Sequence, residues 1–133
     1  MHRCCACVVP VQQLILPTAL PETFGQLRAL QALDLHSNQL ITLPESFGEL
    51  SALWSLRLDE NRLSTLPESF CQLLVLETLD LRSNQLITLR ESFGQLRALR
   101  SLNLCHNQIS KLPESLARSV VLRRLELSWC RDD

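Results

Sequence analysis

The sequence is short of the features on which several functional classes depend. It has only three glycines among 133 residues, and no glycine-rich loop that could cradle a phosphate. Thirteen basic residues against fourteen acidic ones give a formal net charge of −1, so no electrostatic footprint for nucleic acid or an anionic membrane is present. No apolar run approaches the roughly 20 residues that a membrane-spanning helix needs. We therefore expect no nucleic-acid partner and no integral membrane segment.

The groups needed for catalysis do not come together either. The serine and glutamate of the segment LPES recur only because the segment itself recurs along the chain. His36 and His106 are expected about 14 Å apart at the spacing of paired strands, too far for one to assist the other. No nucleophile has a base beside it. We therefore predict no enzyme activity, no catalytic residue and no cofactor.

Cysteine, with six residues, is well represented for a chain of this size. Cys71, Cys105 and Cys130 occupy different parts of a repeating unit: the first replaces a glycine, the second is expected on an exposed strand face, and the third points inward. These three thiols cannot easily reach one another to form disulfides. Free thiols imply a reducing compartment, which favours the cytoplasm over secretion.

The N-terminal cysteines form a separate cluster with His2. Cys4, Cys5 and Cys7 are metal-ligand types, but their crowded CCxC spacing and the absence of a second pair differ from known zinc sites. We therefore predict no metal site. Acylation of Cys4 or Cys5 is one alternative, and a loosely packed N-terminal segment is the other.

A period of 23 residues organises the rest of the chain. The segment NQLITLPESFG, at 38–48, returns two periods later as NQLITLRESFG at 84–94. Residues 1–19 match no unit in register, so we expect an irregular N-terminal segment or a partial cap there. Five units follow one another without a gap, at 20–42, 43–65, 66–88, 89–111 and 112–133.

Each unit predicts one short strand. In stretches such as LDL and LRL, apolar and polar residues alternate, which is typical of a strand with one buried face. Because all units run in the same direction, neighbouring strands must pair in parallel. The expected strands lie at about 32–36, 55–59, 78–82, 101–105 and 124–128.

The rest of each unit must return on the opposite side as a short helical or 3-10 arm. Pro44 suits the first position of such a turn, and Phe47 and Leu50 then share one face at spacing i, i+3. The four phenylalanines recur at one position of the unit and predict a core spine rather than a cofactor pocket, since protein cores pack densely. The spine consists of Phe24, Phe47, Phe70 and Phe93, closed by Leu116.

An asparagine recurs where each strand turns towards its arm. A sharply turning backbone leaves amide groups outside the sheet, and an inward-pointing asparagine carries donors and an acceptor for them. These residues are therefore predicted to be structural. They are Asn38, Asn61, Asn84 and Asn107, with Cys130 at the same position in the last unit.

The units resemble leucine-rich repeats. LQALDLHSNQL, LWSLRLDENRL, LETLDLRSNQL and LRSLNLCHNQI fit the pattern LxxLxLxxNxL, which is followed by LxxLPxxFGxL. The period and the LPxxFG element are similar to the intracellular class found in the Ras suppressor, Erbin and Scribble scaffolds and in plant intracellular repeat proteins. The resemblance implies an α/β repeat fold: a right-handed, curved solenoid with a parallel concave sheet and short helical or 3-10 convex arms.

The resemblance also implies a function. It predicts a non-catalytic protein-protein interaction module, a cytoplasmic scaffold or adaptor whose concave face binds a protein partner, with a small GTPase as one candidate. An alternative of a different class is a regulatory or recognition segment of a larger repeat-containing enzyme, such as a kinase or cyclase, present here as a fragment. Solenoids need polar caps, so an uncapped strand edge would favour self-association.

The outward-facing strand residues are the candidate binding site. In parallel strands about 4.8 Å apart, Asp34, Arg57 and Asp80 are expected to be lateral neighbours, as are Asp59 and Arg82. One interpretation is a lattice of surface ion pairs, each contributing about 0–1 kcal/mol. The other is a recognition surface, in which reversal of both arginine charges would abolish binding and leave the fold intact.

Two tryptophans extend this surface. Trp54 stands just before its strand and is expected near the surface, either as an interface anchor or as a ring lying flat on its neighbours. The full set of candidate binding residues is Asp34, His36, Trp54, Arg57, Asp59, Glu60, Asp80, Arg82, Asn103, His106 and Trp129.

Overall fold

The computed structural model describes residues 8–10, 18–119 and 121–127, and for 8–10 the backbone alone. One strand per unit is confirmed, although each strand spans three residues rather than the five expected. A strand that the repeat spacing did not predict precedes them and pairs with the first unit. In chain order the strands are β1 (Val8–Pro10), β2 (Ala32–Asp34), β3 (Ser55–Arg57), β4 (Thr78–Asp80), β5 (Ser101–Asn103) and β6 (Arg124–Glu126).

The six strands form one parallel sheet in the order of the chain. Leu33 lies opposite Leu56, which lies opposite Leu79, and the same register continues through Leu102 to Leu125. From β2 to β6, successive strands pair at a shift of one 23-residue unit, so equivalent side chains form straight columns across the sheet. Because side chains alternate along a strand, the central leucine of each strand from β2 to β5 is buried in the core while its two neighbours face outward.

A return arm on the opposite side of the core follows each strand from β1 to β5. The arms confirm the expected 3-10 geometry; in the second unit Phe47 N–H donates to Pro44 O at 3.0 Å. Pro44 itself precedes the arm with extended backbone (φ −69°, ψ 155°), so its expected place inside the first turn is wrong. The 3-10 arms are Glu22–Gln26, Glu45–Glu49, Glu68–Gln72 and Glu91–Gln95, and the fifth arm is a short helix, α1 (Glu114–Ala117).

The predicted phenylalanine spine is present. Successive rings of Phe24, Phe47, Phe70 and Phe93 are stacked with centroids 6.0, 6.0 and 6.1 Å apart and planes within 6° of parallel. Leu116 is buried at the end of this column. The rings therefore stack the arms on one another, much as the sheet hydrogen bonds stack the strands.

The asparagine column satisfies the turning backbone as expected. Asn61 Nδ2 donates to Leu35 O and Leu58 O, both at 3.0 Å, and Asn61 Oδ1 accepts the Leu40 N–H at 3.1 Å. Asn84 and Asn107 repeat this arrangement one and two units later. Each asparagine thus ties its own turn to the preceding unit. The predicted equivalent, Cys130, lies outside the described residues.

A left-handed residue precedes each of these asparagines, a feature that the sequence analysis missed. Each has a φ between 58° and 61° although none is a glycine. A side chain in this conformation crowds the following carbonyl, at a cost of roughly 1–2 kcal/mol. The tight turn into the arm is therefore imposed by the packing of the units. These residues are Ser37, Glu60, Ser83 and His106.

Candidate binding face of the sheet

The side chains that point away from the core form the outer sheet face. The register places Asp34 opposite Arg57 and Arg57 opposite Asp80, which confirms the predicted lateral charge column. Backbone bonds continue this pairing beyond the strands, since Glu60 N–H donates to Arg82 O at 2.9 Å. The acidic and basic side chains therefore meet in adjacent strands, as the period indicated.

Arg57 is the centre of this charge network. Its Nε and Nη2 donate to the two carboxylate oxygens of Asp59 at 3.2 and 3.0 Å, and its Nη1 lies 3.4 Å from Asp34 Oδ2. The hydrogen bonds to Asp59, opposed by partial burial, raise the pKa of Arg57. Asp59 pairs with the arginine two residues before it on its own chain segment, and the structure gives no ion pair between Asp59 and its lateral neighbour Arg82.

Burial on this face follows side-chain length. Asp59 is only 4% exposed and Cys105 only 8%, whereas Arg82, in the same column, is exposed. A short side chain at this position does not extend past its surroundings, so the expected exposure of Cys105 is wrong. Asp59, although predicted as a binding residue, is not accessible to a partner in this conformation.

The last residue of several strands caps the turn that follows. Asp34 Oδ1 accepts the His36 N–H at 3.1 Å and also lies against the His36 ring nitrogen Nδ1. Burial would raise the pKa of Asp34, but the His36 hydrogen bonds and the nearby Arg57 charge bring it below its ordinary value. His36 and Asp34 are therefore held to each other rather than left free.

Asp80 and Asn103 cap their turns in the same way. They accept the N–H groups of Arg82 and Cys105 at 3.0 and 2.9 Å. Burial raises the pKa of Asp80, and the neighbouring Asp59 charge adds to the rise despite the opposing Arg82 hydrogen bond. Four of the predicted binding residues, counting Asp34 and His36, thus have a structural role at the strand ends.

A smaller set of the predicted residues remains available to a partner. Arg82 and His106 are exposed, and within the described residues neither side chain takes part in an ion pair or hydrogen bond. Glu60 is exposed and accepts the Ser37 hydroxyl. The other predicted anchor, Trp129, lies outside the described residues. The face therefore presents Arg82 and His106 as its least constrained polar groups.

Trp54 lies at the margin of this face, as predicted, with 39% of its surface exposed. It borders a shallow depression that also contains Gln31, Ser51, Ala52, Val75 and Glu77. Val75 and its neighbour Leu74 are exposed by 43% and 45%. The sequence analysis missed this pair, which was detectable because the first, second and fourth units carry arginine or serine followed by alanine there.

The part of the chain that the structure describes contains neither a metal-ligand cluster nor a membrane-spanning helix. Among the described residues, no three His, Cys, Asp or Glu side chains are close enough to hold a metal ion. Cys71 and Cys105 form no disulfide with any described residue. In the same part of the chain, no helix has the length and apolar character required to cross a bilayer. The N-terminal cysteine cluster lies outside the described residues.

Solved structures with the same architecture include one from Leptospira interrogans, a leucine-rich repeat protein. It is 32% identical over 84% of this chain, with a TM-score of 0.62. The crystal structure of PEPR1–AtPEP1 matches 82% of the chain at 35% identity, and the plant peptide hormone receptor RGFR1 in complex with RGF2 matches 82% at 29% identity; both have a TM-score of 0.75. The chain spans 34%, 16% and 18% of these three proteins.

Sequence comparison gives the same assignment. No curated protein sequence matches the chain significantly. The profile of the leucine rich repeat family matches it four times in overlapping stretches, at residues 18–63, 44–86, 53–109 and 75–131. Together these stretches span residues 18–131, which include part or all of each unit and every strand from β2 to β6. The chain therefore belongs to the leucine-rich repeat family.

Proposed function

We propose that the chain is a non-catalytic protein-binding module that contacts its partner through the outer sheet face. The observation that carries this proposal is that Arg82 and His106 are exposed and take part in no ion pair within the described residues. Arg57, in contrast, is paired with Asp34 and Asp59 on the same face. An exposed polar group that has no ion pair among the described residues is available to a complementary group on another protein.

The apolar margin supplies the second part of the contact. Trp54, Leu74 and Val75 are exposed together beside the sheet, and tryptophan is enriched among residues that dominate binding energy. Arg82 provides charge recognition, while Trp54 provides buried apolar area. A partner segment lying across β3 and β4 could reach both, because these two strands carry Trp54 just before one and Arg82 just after the other.

The structurally related RGFR1 supports this proposal in a general way, since its structure was determined with the peptide hormone RGF2. From the resemblance to intracellular repeats, we propose a scaffold or adaptor in the cytoplasm, with a small GTPase among its candidate partners. A regulatory segment of a larger repeat-containing enzyme remains the second candidate, because the chain spans only 16–34% of its structural relatives.

The edge of β6 that lies opposite its pairing with β5 suggests how copies of the chain could associate. Among the described residues β6 pairs only with β5, and Leu125 and Leu127 are each 36% exposed. Exposed strand edges with apolar side chains favour edge-to-edge pairing. We propose weak self-association through this edge. Sedimentation velocity at rising concentration would detect it, and Leu127→Lys should reduce it.

The main test is capture of a partner from cell lysate by the immobilised chain. Arg82→Glu and, separately, Trp54→Ala should each lower the yield of the captured protein at least about tenfold, the loss expected for one strong contact. Glu45→Lys, on an arm at the opposite side, is the matched control and should bind normally. Capture that is lost with Glu45→Lys but retained with both face variants would place binding on the arms instead.

A further inference from the structure

A repeated hydrogen bond joins successive arms. The serine hydroxyl of one arm donates to the backbone carbonyl of the first glutamate in the preceding arm. We call this bond the arm clasp. It runs from Ser46 to Glu22 at 2.6 Å, from Ser69 to Glu45 at 2.5 Å and from Ser115 to Glu91 at 2.5 Å.

The arm clasp depends on a glycine in the preceding arm. A Cβ placed on Gly48 would lie 2.2 Å from Ser69 O, and one on Gly25 would lie 2.3 Å from Ser46 O. No ordinary side chain fits at such a distance, because contacts this short are repulsive. The two arms can therefore approach closely enough to form the clasp only where this position is a glycine.

Cys71 replaces that glycine in the third arm and changes the seam with the fourth. Its thiol lies 3.0 Å from the Ser92 hydroxyl, so the serine pairs with the inserted side chain. The clasp that would join Ser92 to the carbonyl of Glu68 is not formed. The third and fourth arms are thus the one pair, among the seams whose two arms are both described, without this bond.

A cavity of about 290 Å³ opens beside this altered seam. Its walls include the apolar side chains of Leu66, Phe70, Leu89 and Phe93, and Cys71 lies among them. Arg90 also borders it, in the position where the other four units have proline. Two departures from the repeat therefore meet at one cavity, although 19 positions separate them in the sequence.

Arg90 gives the cavity a charge preference. Burial raises the pKa of the Cys71 thiol, while the Ser92 hydrogen bond and the positive charge of Arg90 oppose that rise. The guanidinium is thus close enough to the cavity to act on its wall. It is exposed, and the described residues provide no carboxylate within ion-pair distance of it. The charge of Glu68 also acts on the thiol and opposes the effect of Arg90 there.

We propose that this cavity binds a small organic carboxylate, with its apolar body between the third and fourth arms and its carboxylate on Arg90. A dry apolar cavity of about 150 Å³ accepts benzene, so about twice that volume suits a ring with a short chain. Arginine is the side chain best matched to a carboxylate, because its planar donors bind both oxygens. This site is separate from the outer sheet face and does not depend on the protein-binding proposal.

The test compares 4-phenylbutanoate with its uncharged analogue 4-phenylbutanamide. Titrations of the isotope-labelled chain, followed by NMR, should show the acid binding with about millimolar affinity, as expected for a ligand of this size. The shifted signals should be those of 65–71 and 88–93. The amide should bind about tenfold more weakly, because it lacks the charge-assisted bonds to Arg90.

Two variants test the contributions of the cavity and of the Arg90 charge separately. Arg90→Gln should weaken the acid about tenfold and leave the amide unchanged, and this exposed substitution should not disturb folding. Cys71→Gly restores the repeat residue, so the seam should close and both probes should lose binding. Thermal unfolding of this variant should show an unchanged or higher midpoint, which would establish that the fold is intact.

Three results would overturn the proposal. One is the absence of any shift at 65–71 with either probe, which would make the cavity a packing gap or a socket for a partner's side chain. The second is equal binding of acid and amide, which would remove Arg90 from the site. The third is unchanged binding to folded Cys71→Gly, which would show that the altered seam does not form the pocket.

Discussion

The Arg57 guanidinium holds both oxygens of the Asp59 carboxylate, at 3.2 and 3.0 Å, while Asp59 is almost completely buried and Arg57 is about half exposed. The pair differs from an ordinary surface salt bridge, because one partner has already lost its contact with water. A buried carboxylate requires a compensating charge or hydrogen bonds. Arg57 therefore has a structural role that its outward position alone did not indicate.

Replacement of Arg57 by methionine should lower the free energy of unfolding by about 1–3 kcal/mol, the cost of a buried polar group left without its partner. Arg82→Met, on the same face but without an ion pair to any described residue, should change it by less than about 0.5 kcal/mol. Urea denaturation would measure both. Equal effects of the two substitutions would show that the Asp59 pair contributes nothing specific. For the same reason, reversal of Arg57 is a poor test of binding, and Arg82 is the appropriate residue.

The asparagine column should matter most where it is most buried. Asn61→Ala removes bonds to three backbone groups and should cost about 1–3 kcal/mol. Asn38→Ala should cost less, because Asn38 is half-buried and, among the described residues, donates at good distance to one carbonyl, Leu35 O at 2.9 Å. The midpoints of chemical unfolding would rank the two variants. A smaller loss for Asn61 than for Asn38 would contradict the assigned role.

The left-handed turns offer a stabilising substitution. Ser83 has φ 58°, and replacing it with glycine removes the crowding of Cβ against the next carbonyl. We expect a gain of about 0.5–1 kcal/mol after the greater chain entropy of unfolded glycine is subtracted. Ser83→Val, with a branched side chain at the same φ, should instead destabilise the protein. Thermal melts of both variants would decide, and a gain with valine would refute the strain argument.

Asp80 should make the protein less stable as the pH rises. Its pKa is raised, so the folded protein keeps this proton to a higher pH than the unfolded chain does. The resulting stability is complete below the unfolded value of about 3.9 and is lost as the pH rises through the folded value. Asp80→Asn should therefore unfold at higher denaturant than wild type at pH 7, and the advantage should vanish near pH 3.

Two neighbours make this pH experiment specific. Asn103 already occupies the equivalent position and accepts the same turn bond, so asparagine fits at residue 80. Asp34, whose pKa is lowered, has the opposite sign: its stabilisation is present at neutral pH and is lost as the pH falls through its folded value. Asp34→Asn should therefore destabilise the protein at pH 7. The same direction of change for both variants would contradict the assignment.

Much of the fold could be predicted because each repeat satisfies its requirements locally or with its immediate neighbours. The alternation in LDL is enough to define a strand, and the 23-residue step then fixes which leucines lie opposite each other, as Leu33 and Leu56 do. The recurring phenylalanine and asparagine had to stack for the same reason. The predicted strand lengths and the predicted start of the arm at Pro44 were less accurate, because both depend on how far the turn between strand and arm extends.

The candidate site could be predicted only in outline. Register alone placed Asp34, Arg57 and Asp80 in one column, and the structure agrees. Register does not determine which carboxylate a long arginine side chain selects, and Arg57 binds Asp59 on its own segment most closely. Leu74 and Val75 were missed because the predicted binding site was drawn from the strands and their ends, whereas these two residues lie in the turn before a strand.

The sequence by itself determined the period, the parallel sheet, the stacked core and the family, because a pattern repeated five times leaves one register in which every apolar column is buried. Only the tertiary structure decided what single departures from the pattern do. The burial of Asp59 depends on side-chain length at one column. At the seams that have glycine, the two arms approach more closely than any Cβ allows, and Cys71 therefore opens its own seam. Such effects arise from contacts between units, where a substitution acts on the neighbouring arm rather than on its own.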